Sequence, residues 1–375
     1  MSRPVRPTRR ARPRLTGRSL AAVTLLAAAA CQQDAPLAVD DSQLPREPVT
    51  ARIELPWSEF GSNLEVYGGY GRPLDVNAGY LAHAHQGALE ARTLLRFGPY
   101  PRSATVRDAN GALRTDNDIW FYQGYVMLRF DTAASNPSGV VTIGLGATQV
   151  EWHPRSASWE AAVDTVGDVR PWPEPGGGPV TPITSNTWSA TVEDSIQMFV
   201  DSATIAAWGD TLNVTRGARV ELLTEGPRLR IREAALRLYA RSEIDPDTTI
   251  FMSAAPPAMT FIYTPAPQPA PGQITFGGAP AWRTVMDVLP PTQVTGPPEL
   301  CEAVGCPFTL GPQHVSYAAL RLTTQSPDSA FRPQDSVAVD VRAVLSRASL
   351  PKSPMSASYL AGSDGVFVPE EAFVP

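Results

Sequence analysis

Lysine is almost missing from this chain of 375 residues: Lys352 stands alone, and arginine supplies the other basic side chains. Histidine occurs four times and cysteine three times. So few histidines leave little general base for a serine nucleophile, and no G-x-S-x-G elbow accompanies them. A P-loop and a dinucleotide fingerprint are also missing, so the sequence gives no basis for phosphate-cradling or Rossmann chemistry. Charged residues reach only 18%. The apolar run Leu20–Ala30 is shorter than the ~20 residues a membrane-spanning helix requires.

What is present starts with an address. Arg3, Arg6, Arg9, Arg10, Arg12, Arg14 and Arg18 precede that run, with no acid among them. A basic start, a short apolar stretch and small residues before a cut form a secretory signal. The run ends in Ala28-Ala29-Ala30-Cys31, which resembles a lipobox, with Ala28 where leucine is usual. The expectation is a cleaved signal peptide over 1–30, a lipid on Cys31 and a flexible tether over 31–48. That places the chain outside the cytoplasm on a lipid anchor in the membrane. Gln32 rather than Asp after the cysteine permits the outer membrane or cell surface. The alternative is an ordinary cleaved signal with Cys31 a bystander.

Removing the signal takes seven of the 31 basic residues and leaves 24 against 37 acids, a net charge of −13. That charge argues against nucleic acid as a partner, since its phosphates demand a basic face. Cys301 and Cys306, in C-E-A-V-G-C, are close enough to join in an oxidising compartment. A metal site with His314 is the alternative, but structural zinc wants four ligands and no second pair is in view.

Proline is abundant, at 38 residues, which suits short strands joined by loops better than helices. Strands are expected at 93–97, 119–130, 139–144, 148–152, 228–232 and 337–342, where branched and aromatic residues gather or alternate with polar ones. Turn residues separate them, as in Asp108–Gly111, Asn136–Gly139 and Glu174–Pro179. Two stretches have helical composition: 81–95, rich in Ala, Leu, Glu and Gln, and 201–208, which opens on a capping Asp201 or Ser202. The expected fold class is all-β, with two β-sandwich or jelly-roll-like units after the signal peptide. The first would cover 49–263 and a smaller one 273–375, across the Pro-rich linker 264–272. Ala234–Leu238 recurs as Ala318–Leu322, a hint that the two units are related.

Three groups of residues between 125 and 238 carry a family resemblance. The strand Tyr125-Val-Met-Leu-Arg-Phe-Asp131 is one. The spaced tryptophans of Trp152–Trp159 and Arg170–Trp172, followed by Gly176–Gly178, are the second. The third runs from Asp201 to Trp208, through Gly217, to Ala234–Leu238. In this order they resemble the DNRLRE-type β-sandwich, grouped with carbohydrate-binding modules. The hexapeptide itself is absent, and Arg228–Glu233 matches it in composition only. The resemblance implies a sandwich and a preference for glycans.

Trp152, Trp159 and Trp172 are the candidate glycan contacts, because an indole stacks on the C–H face of a sugar. Their other reading is core, since buried aromatics dominate packing energy. Exposed, coplanar rings would distinguish binding from packing. Asp116-Asn117-Asp118 resembles part of a calcium loop, although such ions take six or more oxygens and a turn filled by Asx side chains is the plainer reading. Calcium is the only ion this pattern suggests, and no other cofactor is called for. His83 and His85 form a potential metal pair on one strand face, but surface or core histidines explain them as well. Acid pairs for glycoside hydrolysis cannot be picked from so many carboxylates. The expected role is non-catalytic binding of a glycan or surface polymer, with an envelope-protein partner or a polysaccharide hydrolase or lyase as alternatives.

Overall fold

The computed structural model describes residues 50–67, 79–137, 139–265, 267–275, 282–326, 336–350, 353–359 and 366–373. The signal, Cys31 and the tether lie outside them. The fold is all-β, and among the described residues no helix is long and apolar enough to cross a membrane. Residues 292–314, with the described residues 50–54, form one compact unit. The larger unit covers 55–291 and 315–375, so the Pro-rich stretch 264–272 lies inside it.

Ten strands of the larger unit share one antiparallel sheet. They are β1 (Gly79–His85), β2 (Leu89–Arg96), β3 (Ile119–Phe130), β4 (Val141–Thr148), β5 (Val180–Trp188), β6 (Ser195–Val200), β7 (Ala218–Leu222), β8 (Arg228–Ser242), β9 (Ile250–Ser253) and β10 (Ala258–Tyr263). A helix, α1 (Ser202–Gly209), follows β6. The hydrogen-bonded order is β5-β4-β7-β2-β1-β8-β3-β6, with β9 also on β8 and β10 also on β2.

β1 turns this sheet into a sandwich. Its residues Gly79–Ala82 pair with β8, while Ala82 and His85 pair with β2. The strand thus passes from one half of the sheet to the other. The halves face each other across one core, with Leu95, Ile143, Leu145 and Val220 on one side and Val126, Leu128, Met198 and Leu238 on the other. At the far edge Asn186 of β5 donates to the Gln197 carbonyl of β6 at 2.7 Å, which brings the halves nearly to closure.

The helical composition of 81–95 is overridden. The segment is the β1–β2 hairpin, because its buried side chains recur every second residue, at Leu89, Ala91, Thr93 and Leu95. The turn has both central residues at positive φ, Gln86 at 51° and Gly87 at 78°. Type I′ hairpin turns require that geometry, and it matches the twist of the flanking strands. Helix propensity, worth a few tenths of a kcal/mol per residue, yields to that burial. The strand signal at 139–144 falls in β4, but β4 ends at Thr148 and 149–152 form no strand, because the chain there leaves the sheet to begin the β4–β5 connection.

The second helical expectation holds. Asp201 caps α1, its carboxylate accepting from the Thr204 N–H at 2.9 Å. Ile205 and Trp208 then plug one end of the core, Trp208 against Phe97 with ring centroids 4.5 Å apart. The Tyr100 hydroxyl donates to the Ile205 carbonyl at 3.0 Å, and burial raises its pKa above the ordinary tyrosine value. Gly124 of β3 permits this approach. A Cβ there would lie 2.9 Å from the Ile205 Cδ1 and 2.5 Å from the Arg237 carbonyl.

The repeated pentapeptide has two structures. Ala234–Leu238 lies in β8, whereas Ala318–Leu322 is exposed and forms no strand. Beyond β10, described strands pair in short ribbons: Val337–Val339 with Val366–Val368, and Arg342–Val344 with Met355–Ser358. In the smaller unit Gln293–Val294 pairs with Phe308–Thr309 around a helix, Pro298–Val304.

Candidate functional site

The tryptophans singled out in the sequence come together, but as a core. The long connection from β4 to β5 folds over the outer face of β2, β7 and β10. There Trp152 and Trp172 pack with Leu94, Ala157, Ala162 and Ile262. Trp152 is 2% and Trp172 5% exposed, and the Trp172 indole N–H donates to the Ser158 carbonyl at 2.8 Å. Neither ring presents a face to a ligand, so the expectation of direct glycan contact is corrected at both. Trp159 is half-buried, with the Arg92 guanidinium 5.1 Å from its ring centroid.

Arginines hold the connection down. Arg92 donates to the Gly176 carbonyl at 2.7 Å, Arg96 to the Trp152 carbonyl at 3.1 Å and Arg219 to the Gly178 carbonyl at 2.6 Å. Glu221 lies 3.5 Å from Arg92 and 3.1 Å from Arg219. Burial, then the like charge of Arg219, lowers the Arg92 pKa below the usual guanidinium value. Gly176, Gly177 and Gly178 all sit at positive φ, which lets the backbone lie close on these side chains.

The other sequence candidates serve structure. Asp116 is buried and accepts from the Asp118 N–H at 2.8 Å, the Ile244 N–H at 3.3 Å and the Ser242 hydroxyl. Those donors, the Ser242 hydroxyl first, hold its carboxyl below the usual range. Asn117 and Asp118 are exposed, so the triplet is a turn bracketed to β8. Ala84, at φ 47°, breaks the strand alternation between His83 and His85. His83 faces Glu90 at 3.0 Å, while buried His85 lies 2.6 Å from the Gly226 carbonyl. Among the described residues no three His, Cys, Asp or Glu side chains group to hold a metal. Cys301 and Cys306 form a disulfide, S–S 2.12 Å, which leaves no thiolate for the metal alternative. The His314 Nδ1 accepts from the Gly311 N–H at 3.1 Å.

The exposed aromatic surface lies on the opposite half of the sandwich, on the outer face of β6, β3, β8 and β9. Alternation determines which residues reach it. Val126, Leu128 and Phe130 of β3 point into the core, as do Leu236, Leu238 and Ala240 of β8 and Ile196, Met198 and Val200 of β6. Their neighbours point outward and align by register. One row runs Ser253–Arg237–Tyr125–Phe199 and the next Phe251–Tyr239–Gln123. Trp120 pairs with Arg241 a step further on.

The rings of these rows touch. Tyr125 lies with its centroid 5.8 Å from Phe199, 6.1 Å from Tyr239 and 6.2 Å from Phe251, the last pair stacked. Tyr239 and Phe251 are 5.6 Å apart. Phe199 is 49%, Phe251 53% and Trp120 43% exposed, Tyr239 is half-buried, and Tyr125, covered by these neighbours, is 8% exposed. Tyr122, displaced outward where the register slips, meets Tyr239 at 6.5 Å and bonds its hydroxyl to Thr249 at 3.0 Å. Polar groups edge the rings: Gln123, Gln197, Arg237 and Arg241. At the far end of the face Asp194 and Glu233 are bound by Arg129, at 3.5 and 3.4 Å. Comparison with family models, curated proteins and solved structures finds no match for this chain.

The composition of 119–130 marks β3 as a strand but does not mark its rings as ligand contacts. The usable signal was the placement of Tyr125, Phe199, Tyr239 and Phe251. Tyr125, Phe199 and Tyr239 sit beside buried apolar residues of their strands that face the core, and Phe251 sits between the half-buried Ile250 and Met252. Large rings are then in excess of what one core needs.

Proposed function

We propose that this chain is a non-catalytic cell-envelope protein, anchored by lipid at Cys31, that binds a glycan chain across the outer face of β6, β3, β8 and β9. The observation that carries this reading is the joined row of Phe199, Tyr125, Tyr239 and Phe251, with its two end rings about half exposed. Phe199 and Phe251, with the half-buried Tyr239, give the C–H faces of successive sugars a surface to lie on, and the buried Tyr125 ring supports them from between. The amides and guanidinium beside it match sugar hydroxyls, combining apolar contact with a few placed polar groups as small-ligand sites do. Rings held on rigid strands also lose little rotamer freedom on binding. Two carboxylates facing one pocket would serve hydrolysis; on this face Asp194 and Glu233 are instead engaged by Arg129, and Asp194 also by Arg232 at 3.9 Å. The resemblance to carbohydrate-binding sandwiches points the same way.

Affinity electrophoresis through gels containing neutral and acidic polysaccharides tests the reading. Retardation by a polymer that disappears in the Phe199→Ala/Phe251→Ala variant supports it. Free migration in every gel, with the same variant losing crosslinks to an envelope protein, would replace the glycan with a protein partner. Labelling with a radioactive fatty acid checks the anchor, and undiminished label in Cys31→Ser would remove it.

A further inference from the structure

We infer that the glycan is anionic, a polysaccharide carrying carboxylates that Arg237 and Arg241 bind beside the aromatic row. The inference rests on the binding face proposed above and specifies its ligand.

Charge pairing over this half of the sandwich singles out these two arginines. Arg129 is held by Asp194 and Glu233, Arg230 by Asp131 and Arg232 by Asp194. Arg237 and Arg241 are different. Arg237 donates to the hydroxyl of its cross-strand neighbour Ser253. Arg241 lies over the ring of Tyr122, with its guanidinium 5.1 Å from the centroid. Neither forms an ion pair with a carboxylate among the described residues. Among the described residues these two cations have no acidic partner, and both project from one strand onto the face that carries the aromatic row.

Their placement suits a chain-like anion. Arg237 stands in the same register row as Tyr125 and Phe199, and Arg241 pairs with Trp120. Four residues apart on β8, with Tyr239 between them, they are spaced ~13 Å along the strand. A polymer lying across Tyr239 therefore meets a cation on either side of the ring. Guanidinium is preorganised for two-pronged bonding to carboxylates, and it binds them more strongly than it binds neutral hydroxyls. Arg241 is positioned in advance by its ring contact and Arg237 by Ser253, which reduces the rotamer entropy lost on binding. Single-stranded nucleic acid would also use rings and arginines, but the overall acidity of the chain opposes it.

The full-length chain in a non-ionic detergent would be run through gels containing polygalacturonate or hyaluronate, each beside its carboxyl-reduced neutral form, and through gels containing single-stranded DNA. The expected result is retardation by an acidic polymer, relieved by added salt, with its neutral form much weaker. Arg237→Gln/Arg241→Gln should lose about tenfold in affinity for the acidic form, the size expected for losing a charge-assisted hydrogen bond, while keeping the wild-type denaturation midpoint. Equal retardation by both forms, unchanged in the arginine variant but lost in Phe199→Ala/Phe251→Ala, would overturn the anionic inference and leave the glycan reading standing. No retardation by any polysaccharide would overturn both. Retardation by DNA alone would replace them with nucleic-acid binding.

Discussion

A side chain in this protein is best understood from its partner across the sheet. Asp201 shows the local case: its carboxylate accepts from the Thr204 N–H and hydroxyl, both at 2.9 Å, and so satisfies a donor that α1 would otherwise leave open. Asp201→Ala should cost about 1 kcal/mol in urea denaturation, and Asp201→Asn much less, since asparagine caps nearly as well. Equal losses in both variants would mean that the charge matters and the cap does not. This cap was legible in the sequence because its geometry is local. The outward rings of β3, β6, β8 and β9 were not legible as a site. Tyr125 and Phe199 are 74 positions apart in number and meet only through antiparallel register. Truncating the exposed pair should leave the fold nearly intact. Phe199→Ala and Phe251→Ala are each expected to cost about 1 kcal/mol, the scale of an aromatic pair at a surface.

Among elements, the β4–β5 connection is the informative one. It adds a layer outside the sandwich, so Leu94 of β2 is fully buried on the face that would otherwise meet water. That explains the unbroken buried run Thr93-Leu94-Leu95, which belongs to a strand covered on both sides. It also explains why the spacing of the tryptophans is compatible with both binding and packing. A ring pattern cannot reveal whether a loop folds back over its own sheet, and three glycines at positive φ are what allow this one to do so. Trp172→Ala removes a ring from that layer and should cost about 3–5 kcal/mol, the range for large-to-small core changes in aromatics. Hydrogen exchange should speed up across 150–178 and at β10, while β3 and β8 keep their protection. An even loss over all strands would mean that the outer layer is a required part of the main core.

For the larger unit as a whole, the ion pairs and capped carboxylates set how stability depends on acid. Asp108 is held below the usual carboxylate range by the Ala112 N–H, Asp116 by the Ser242 hydroxyl and Asp201 by the Thr204 N–H. Arginines do the same for two others, Arg170 for Glu151 and Arg347 for Asp287. A carboxyl whose pKa is lower folded than unfolded binds its proton more readily in the unfolded chain. It therefore stabilises the fold above the unfolded value, ~4, and that contribution is lost as pH falls through the folded-state value. All five shifts have the same sign. Thermal unfolding of this unit should be nearly flat from about pH 5 to pH 8 and should fall steeply below about pH 4. Neutralising the acids also leaves the arginines to repel one another, which deepens the same limb. Asp116→Asn isolates one contributor, because asparagine does not titrate. The variant should melt lower than the wild type at pH 7 and approach it as the pH drops, so that the two curves converge on the acid side. Curves that stay parallel through the acid limb would show that the Asp116 bracket to Ser242 stabilises the fold without its charge.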